Sequence, residues 1–229
     1  MAIDQLSSHY QDAAVSTETR NRVLRNTYGL LALSMIPTVI GAWVGIATRF
    51  SFFAGSPAIS FIAFLAIAWG FMFAINRYKN SSAGILLLLG FTFFMGLMLS
   101  RLLGYVLGMA NGTSIVMMAF GSTAVIFGAM ATIATVSRRD FSGMGSWLFV
   151  GMIVILLAAF ANIFLQIPGM MLAISALATV VFSLFILFDL NRVVTGGETN
   201  YVMATLELYL DIYNVFQSLL VLLGVTNND

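Results

Sequence analysis

Glu207, Asp211, Asn214 and Ser218 follow one another at spacings of four, three and four, in a segment otherwise made mostly of Leu, Val, Tyr, Ile and Phe. On an α-helix this rhythm places all four on one face. Another acid, Asp189, stands near the end of the preceding apolar run, in "LFILFDLNRVV". An ionised carboxylate at the centre of a bilayer costs about 2.5–3.5 kcal/mol on the insertion scale, so such acids face a bundle interior or a water-filled cavity. Two carboxylates brought together in a low-dielectric site are poorly solvated and repel each other, and one proton held between them relieves both problems. Such a pair can relay protons, offer oxygen ligands to a hard cation, or latch two helices together in a proton-dependent way.

The two acidic runs are consecutive and therefore antiparallel, so Asp189 can approach the polar stripe. Depth alone leaves its partner open. With the connection at residues 195–205, Asp189 and Asp211 lie at similar depths, about 9 Å from it by the helical rise of ~1.5 Å per residue. With the last helix starting near Asn200, Glu207 is the better match. The plainer alternatives are an ion pair between Asp189 and Arg192, and an interfacial position for Glu207. For Asp211 a functional role is the default reading.

The elements that must position these acids follow from composition. Of 229 residues, 60% are hydrophobic and 8% charged, where a soluble domain carries roughly 25% charged residues. Seven apolar runs can be counted: Tyr28–Thr48, Ala58–Ile75, Ala83–Leu107, Ser114–Val136, Gly145–Leu165, Met170–Leu190 and Leu206–Val225. Each approaches or exceeds the roughly 20 residues that span a hydrocarbon core, and the short alternating strands of a barrel are missing. The expected fold is all-α, a polytopic membrane protein with seven transmembrane helices. Residues 28–225 form the membrane domain. Residues 1–27 are a polar cytoplasmic tail, expected to be disordered, and residues 226–229 are a short C-terminal end. The first run is too long for a signal-peptide core and reads as an uncleaved helix.

Eight of the ten basic residues fall on one side of this topology: Arg20, Arg22, Arg25, Arg77, Lys79, Arg138, Arg139 and Arg192. Only Arg49 and Arg101 fall on the other. The positive-inside rule therefore predicts a cytoplasmic N-terminus and a C-terminus on the outer, periplasmic face. Arg101 is expected to snorkel outward. Asn162 and Gln166 are expected to hydrogen-bond between helices, and the pairs Gly41/Gly45 and Gly104/Gly108 to mark close helix packing.

Several classes are disfavoured. The chain has no Cys and a single His, His9, which removes thiolate chemistry and makes a histidine metal site untenable. The net charge of +1 gives no footing for nucleic acid. An intramembrane aspartyl protease, the remote alternative, requires a G-x-G-D motif where this chain has "LYLD". A serine intramembrane protease needs a membrane His. "GGET" lacks the Lys and the strand-to-helix setting of a phosphate loop and reads as a turn. No enzyme activity and no resident cofactor are expected.

The segment "GGETNYVMATLELYLDIYNVFQSLLVLLG", residues 196–224, resembles the C-terminal part of the Bax-inhibitor (TMBIM) membrane protein family, in its YccA-like branch. "VLRNTYGLLALS" and "ANIFLQIP" resemble the same branch. The resemblance runs from about Arg22 to the end of the chain. It implies a seven-helix bundle with the last helix in the middle, in a bacterial inner membrane. It also implies two roles. One is modulation of an FtsH-like membrane AAA protease in membrane protein quality control. The other is a pH-gated Ca²⁺ leak, with Ca²⁺ as the transported ion. In the leak branch one Asp on helix 6 and one on helix 7 form the gate. "FDLN" and "YLDIYN" match those positions, so the resemblance assigns Asp189 and Asp211 as the pair and as the place where Ca²⁺ would be held. It also implies a basic residue near the cytoplasmic end of helix 2, for which Arg77 is the nearest match. Glu207 and Asn214 complete the candidate ion- and pH-sensing set.

Overall fold

The computed structural model describes residues 2–50, 52, 56–137, 139, 141–167 and 169–226, with the backbone alone for residues 2–17 and 19. These residues form seven α-helices: α1 (Ala2–Ala47), α2 (Pro57–Tyr78), α3 (Ser82–Leu107), α4 (Gly112–Val136), α5 (Gly145–Leu165), α6 (Met170–Thr195) and α7 (Tyr201–Thr226). A short 3₁₀ turn, Ser142–Met144, precedes α5, and no strand occurs among the described residues. Seven helices are long and apolar enough to cross a membrane. Lipid offers the backbone no hydrogen-bond partners, so each spanning segment must satisfy its own N–H and C=O groups as a helix. The protein is a multi-pass membrane protein.

The expectation of a disordered tail is corrected: α1 is continuous from Ala2, and its apolar span begins only at Arg20. Residues 2–28 contain neither Gly nor Pro, so nothing in the sequence breaks a helix that the membrane span nucleates.

α7 runs through the middle of the bundle. It packs against α1, α3, α4 and α6, with a smaller contact to α2. Val202, Leu206, Leu208, Tyr209, Val215 and Leu220 are buried along its length. Tyr209 ties it to two neighbours: its hydroxyl is 2.9 Å from Thr38 Oγ1 on α1 and donates to the Thr92 carbonyl on α3 at 3.4 Å. Tyr213 donates to the Met95 carbonyl at 3.2 Å. Buried polar groups on such a helix must be satisfied by its neighbours.

α1 and α3 touch backbone to backbone. A Cβ on Gly96 would collide with the Thr38 carbonyl oxygen, and one on Gly41 with the Phe93 carbonyl oxygen. Gly45 faces the Ser100 side chain at equally close range. The Gly41/Gly45 pair is thus a packing site. Gly104/Gly108 is not: the nearest neighbour of a Cβ on Gly104 is the Ile46 side chain at 3.9 Å, and Gly108 meets only its own helix turn. The expectation for Asn162 and Gln166 is also corrected. Asn162 Oδ1 accepts the Ile167 N–H at 3.1 Å, closing the end of its own helix. Gln166 is exposed and takes a left-handed backbone, φ 47°. Both residues sit where α5 runs out of intrahelical partners, and a helix end claims nearby polar groups first.

Gly96→Ala should therefore destabilise the bundle by about 1–3 kcal/mol, the usual cost of overpacking. Gly121→Ala, on a site with nothing within 4 Å, should be neutral or stabilising. Thermal unfolding in detergent checks this, and equal melting of the two variants would contradict the close α1–α3 contact.

Candidate functional site

The site is built where α6 ends and α7 begins. Gly196, at φ +84°, ends α6, and the Gly197 N–H donates to the Arg192 carbonyl at 2.8 Å. A left-handed residue after a helix lets the chain fold back over its last turn, and Gly adopts it without strain. Asn200 then caps α7: its Oδ1 accepts the N–H groups of Val202 and Met203 at 3.0 and 3.1 Å. The result is a tight turn that fixes α7 against α6.

Asp189 and Asp211 face each other across this helix pair. They are 6% and 5% exposed, and their carboxyl groups lie within interaction range of each other. A hydrogen bond between two carboxyls requires a proton on one of them. Asp211 Oδ2 is buried without a conventional donor among the described residues. Asp211 sits ten positions into α7 and Asp189 six before the end of α6, a difference in depth of about 6 Å at ~1.5 Å per residue. Side chains on a helix tilt toward its N-terminus. On α6 that direction is away from the turn; on α7 it is toward the turn. The two carboxyls therefore converge, whereas the side chain of Glu207 is carried toward the turn.

There it meets Arg192. Arg192 Nη1 lies 3.2 Å from Glu207 Oε2 and 3.4 Å from Asp189 Oδ1, and Nη2 lies 3.6 Å from Glu198 Oε2. One guanidinium thus gathers three acids, and its fork shape suits this. It also lies over the Phe188 ring at 5.6 Å. Glu198 Oε1 accepts the Asn200 N–H at 2.7 Å, and Asn200 Nδ2 donates to Asn80 Oδ1 at 2.7 Å. A continuous line of polar contacts joins the buried Asp211 to the α2–α3 connection. Asn191 makes the matching tie to the segment before α5, accepting the Phe141 N–H at 3.1 Å.

The other sequence candidates fall outside this line. Asn214 donates to the Leu210 carbonyl of its own helix at 2.7 Å. Arg77 is exposed at the end of α2, its guanidinium 6.0 Å from the Tyr78 ring. It stands two positions, about 200° of helix, from the buried Ile75, so it points away from the core. The basic residue of the cluster is Arg192, which the sequence offered only as a plain ion-pair partner. Glu198 lay unrecognised in a stretch read as a turn. Its signal was the short Gly-Gly link, which forces residues just beyond it back onto the end of α6.

As arranged, the two carboxyls lie against each other and beside a guanidinium. Ca²⁺ takes six to eight oxygen ligands. Here Asp189 pairs with Arg192 at 3.4 Å, so a cation at this carboxyl would have to displace the guanidinium. Among the described residues no group of three or more His, Cys, Asp or Glu is disposed to hold a metal.

Fold and site together define a polytopic helical membrane protein assembled around a carboxyl pair that its own interior must satisfy. A family model described as "Inhibitor of apoptosis-promoting Bax1" matches residues 20–228, and the chain belongs to this Bax-inhibitor family. It is 37% identical over 223 residues, 97% of each chain, to the modulator of FtsH protease YccA of Escherichia coli K12. It is 38% identical over 209 residues to an uncharacterized membrane protein of Vibrio cholerae, covering 91% of this chain and 92% of that one. An uncharacterized protein of Neisseria meningitidis serogroup A is 38% identical over 221 residues, 95% and 97% of the two chains.

Because Arg192 is about one-third exposed, its removal should cost about 1–3 kcal/mol, between the surface and buried limits for ion pairs. Arg192→Gln should lower the melting temperature in detergent, and Arg192→Gln/Glu207→Gln should recover part of the loss. A double variant that melts lower still, by the sum of the single effects, would show that Arg192 and Glu207 are uncoupled.

Proposed function

We propose that this protein modulates an FtsH-type membrane AAA protease in the bacterial inner membrane, and that the Asp189–Asp211 pair makes the state of its bundle proton-dependent. The observation that carries the first half is the similarity along 97% of both chains to a protein named as a modulator of that protease. The second half is supported by the burial of two adjacent carboxyls and the polar line from Asp189 through Arg192, Glu198 and Asn200 to the α2–α3 connection. Loss of the shared proton leaves two charges in contact, which repel and loosen α6 from α7. The excess of basic residues at this end of the bundle favours the cytoplasm as its location. A change at the pair would then reach the cytoplasmic surface, where a protease partner works. The first turns of α1, which precede the membrane span, are the segment such a protease would grip. A short polar helix is marginal on its own and unwinds readily.

A second reading is a cation leak without a protease partner, favoured by the burial of the pair at the contact of two spanning helices. Its sign follows from the same chemistry. The protonated pair holds the helices together. The doubly ionised pair opens them and presents oxygen ligands, so Ca²⁺ flux rises with pH.

The test is affinity purification of the full chain from native membranes, with half-life measured in cells that contain the protease. An AAA protease should co-purify, and deletion of residues 2–19 should lengthen the half-life. Absence of the protease and an unchanged half-life, together with Ca²⁺ flux into liposomes that rises with pH, would put the leak reading first.

A further inference from the structure

The end of the bundle opposite the acid cluster holds two basic residues, Arg49 and Arg101. The structure brings both to one open cleft of about 290 Å³ between α1 and α3, lined also by Gly45, Phe50, Ser100 and Gly104. A single water takes up ~30 Å³ of liquid, so the cleft admits a much larger group. Every acid whose side chain is described belongs to α1 before its span, the end of α6, the turn after it, or the first half of α7. Neither guanidinium has an ion pair or hydrogen bond among the described residues. Two like charges that share a cleft with no counter-charge among the described residues suit an anion.

The backbone supplies an independent sign. Arg49 has φ +51°, a left-handed conformation that favours Gly. The Phe50 N–H donates to the Gly45 carbonyl at 2.8 Å and the Arg49 N–H to the Ile46 carbonyl at 3.2 Å. This is a helix-ending motif in which Gly is the usual residue. Arg at that position carries a backbone cost that an interaction of its side chain would offset. Depth points to the ligand. Trp43 and Tyr105 are exposed on α1 and α3 near this end, and exposed Trp and Tyr mark the level of lipid headgroups.

We infer that Arg49 and Arg101 form a binding site for the phosphate of an anionic phospholipid, in the leaflet opposite the acid cluster. Gly104 leaves room for the headgroup between the two guanidinium groups. The phosphate bridges them, and its acyl chains lie along the exposed apolar surface of α1 and α3.

The test is native mass spectrometry of the detergent-purified full chain, titrated with phosphatidylglycerol or with phosphatidylcholine. The wild type should retain phosphatidylglycerol in preference. Arg49→Gly and Arg101→Gln should each weaken its retention about fivefold, as expected for removal of one basic residue at an anionic surface. Arg49→Gly relieves the left-handed strain, so without lipid it should melt at or above the wild-type temperature, which separates lost binding from lost folding. Gly104→Leu keeps both charges and fills the cleft, and it too should weaken retention. The inference is overturned if the two lipids are retained equally, or if Arg49→Gly retains phosphatidylglycerol as well as the wild type. Displacement of the lipid by inorganic phosphate at matched concentration would also overturn it, marking the cleft as a free-anion site.

Discussion

A carboxyl that cannot reach water must find its hydrogen-bond partners inside the protein, and in lipid there is no alternative. Asp211 imposes that constraint on the whole bundle. It lies in the helix that five others surround, so α7 cannot turn its polar face outward. The polar group nearest to it is another acid, Asp189, and two buried carboxyls in contact favour a proton between them. Much of the local architecture serves that contact. The left-handed Gly196 brings α7 back along α6, Asn200 caps it in register, and Arg192 balances the acids nearest the turn.

The two ends of the bundle solve opposite electrostatic problems. At one end, three acids crowd a single guanidinium, and Glu198 also accepts a backbone N–H. The connections at this end are tied together by the Asn80–Asn200 and Asn191–Phe141 contacts. At the other end, two arginines share an open cleft with no acid among its described lining residues. Between them lies a core joined by Tyr209 and by the glycine contact of α1 with α3, which keeps the inner helices in fixed register.

The sequence made the seven spans legible because each is a long apolar run, and lipid leaves such runs no choice but a helix. Asp189 and Asp211 were legible as polar residues in the wrong solvent. Their partnership was not settled by depth counting, because depth counts Cα positions and ignores the opposed tilts of side chains on antiparallel helices. With α7 starting at Tyr201, counting alone would have paired Asp189 with Glu207. Arg77 shows the complementary failure: its position along the chain was plausible, but its angle around α2, set by the buried Ile75, turns it away. The tail was misjudged from its polarity, which says that a segment lacks a core but not that it leaves a helix already nucleated by a membrane span.

The account rests on one shared proton, and infrared spectroscopy of the full chain in liposomes detects it directly. The account predicts the carbonyl stretch of one protonated carboxylic acid per molecule. The band should shift in heavy water and disappear from both Asp189→Asn and Asp211→Asn, where the remaining ionised acid accepts from the amide. It should persist in Glu207→Gln. A wild-type spectrum without the band, or a band lost only in Glu207→Gln, would contradict the shared proton and with it the role assigned to the pair.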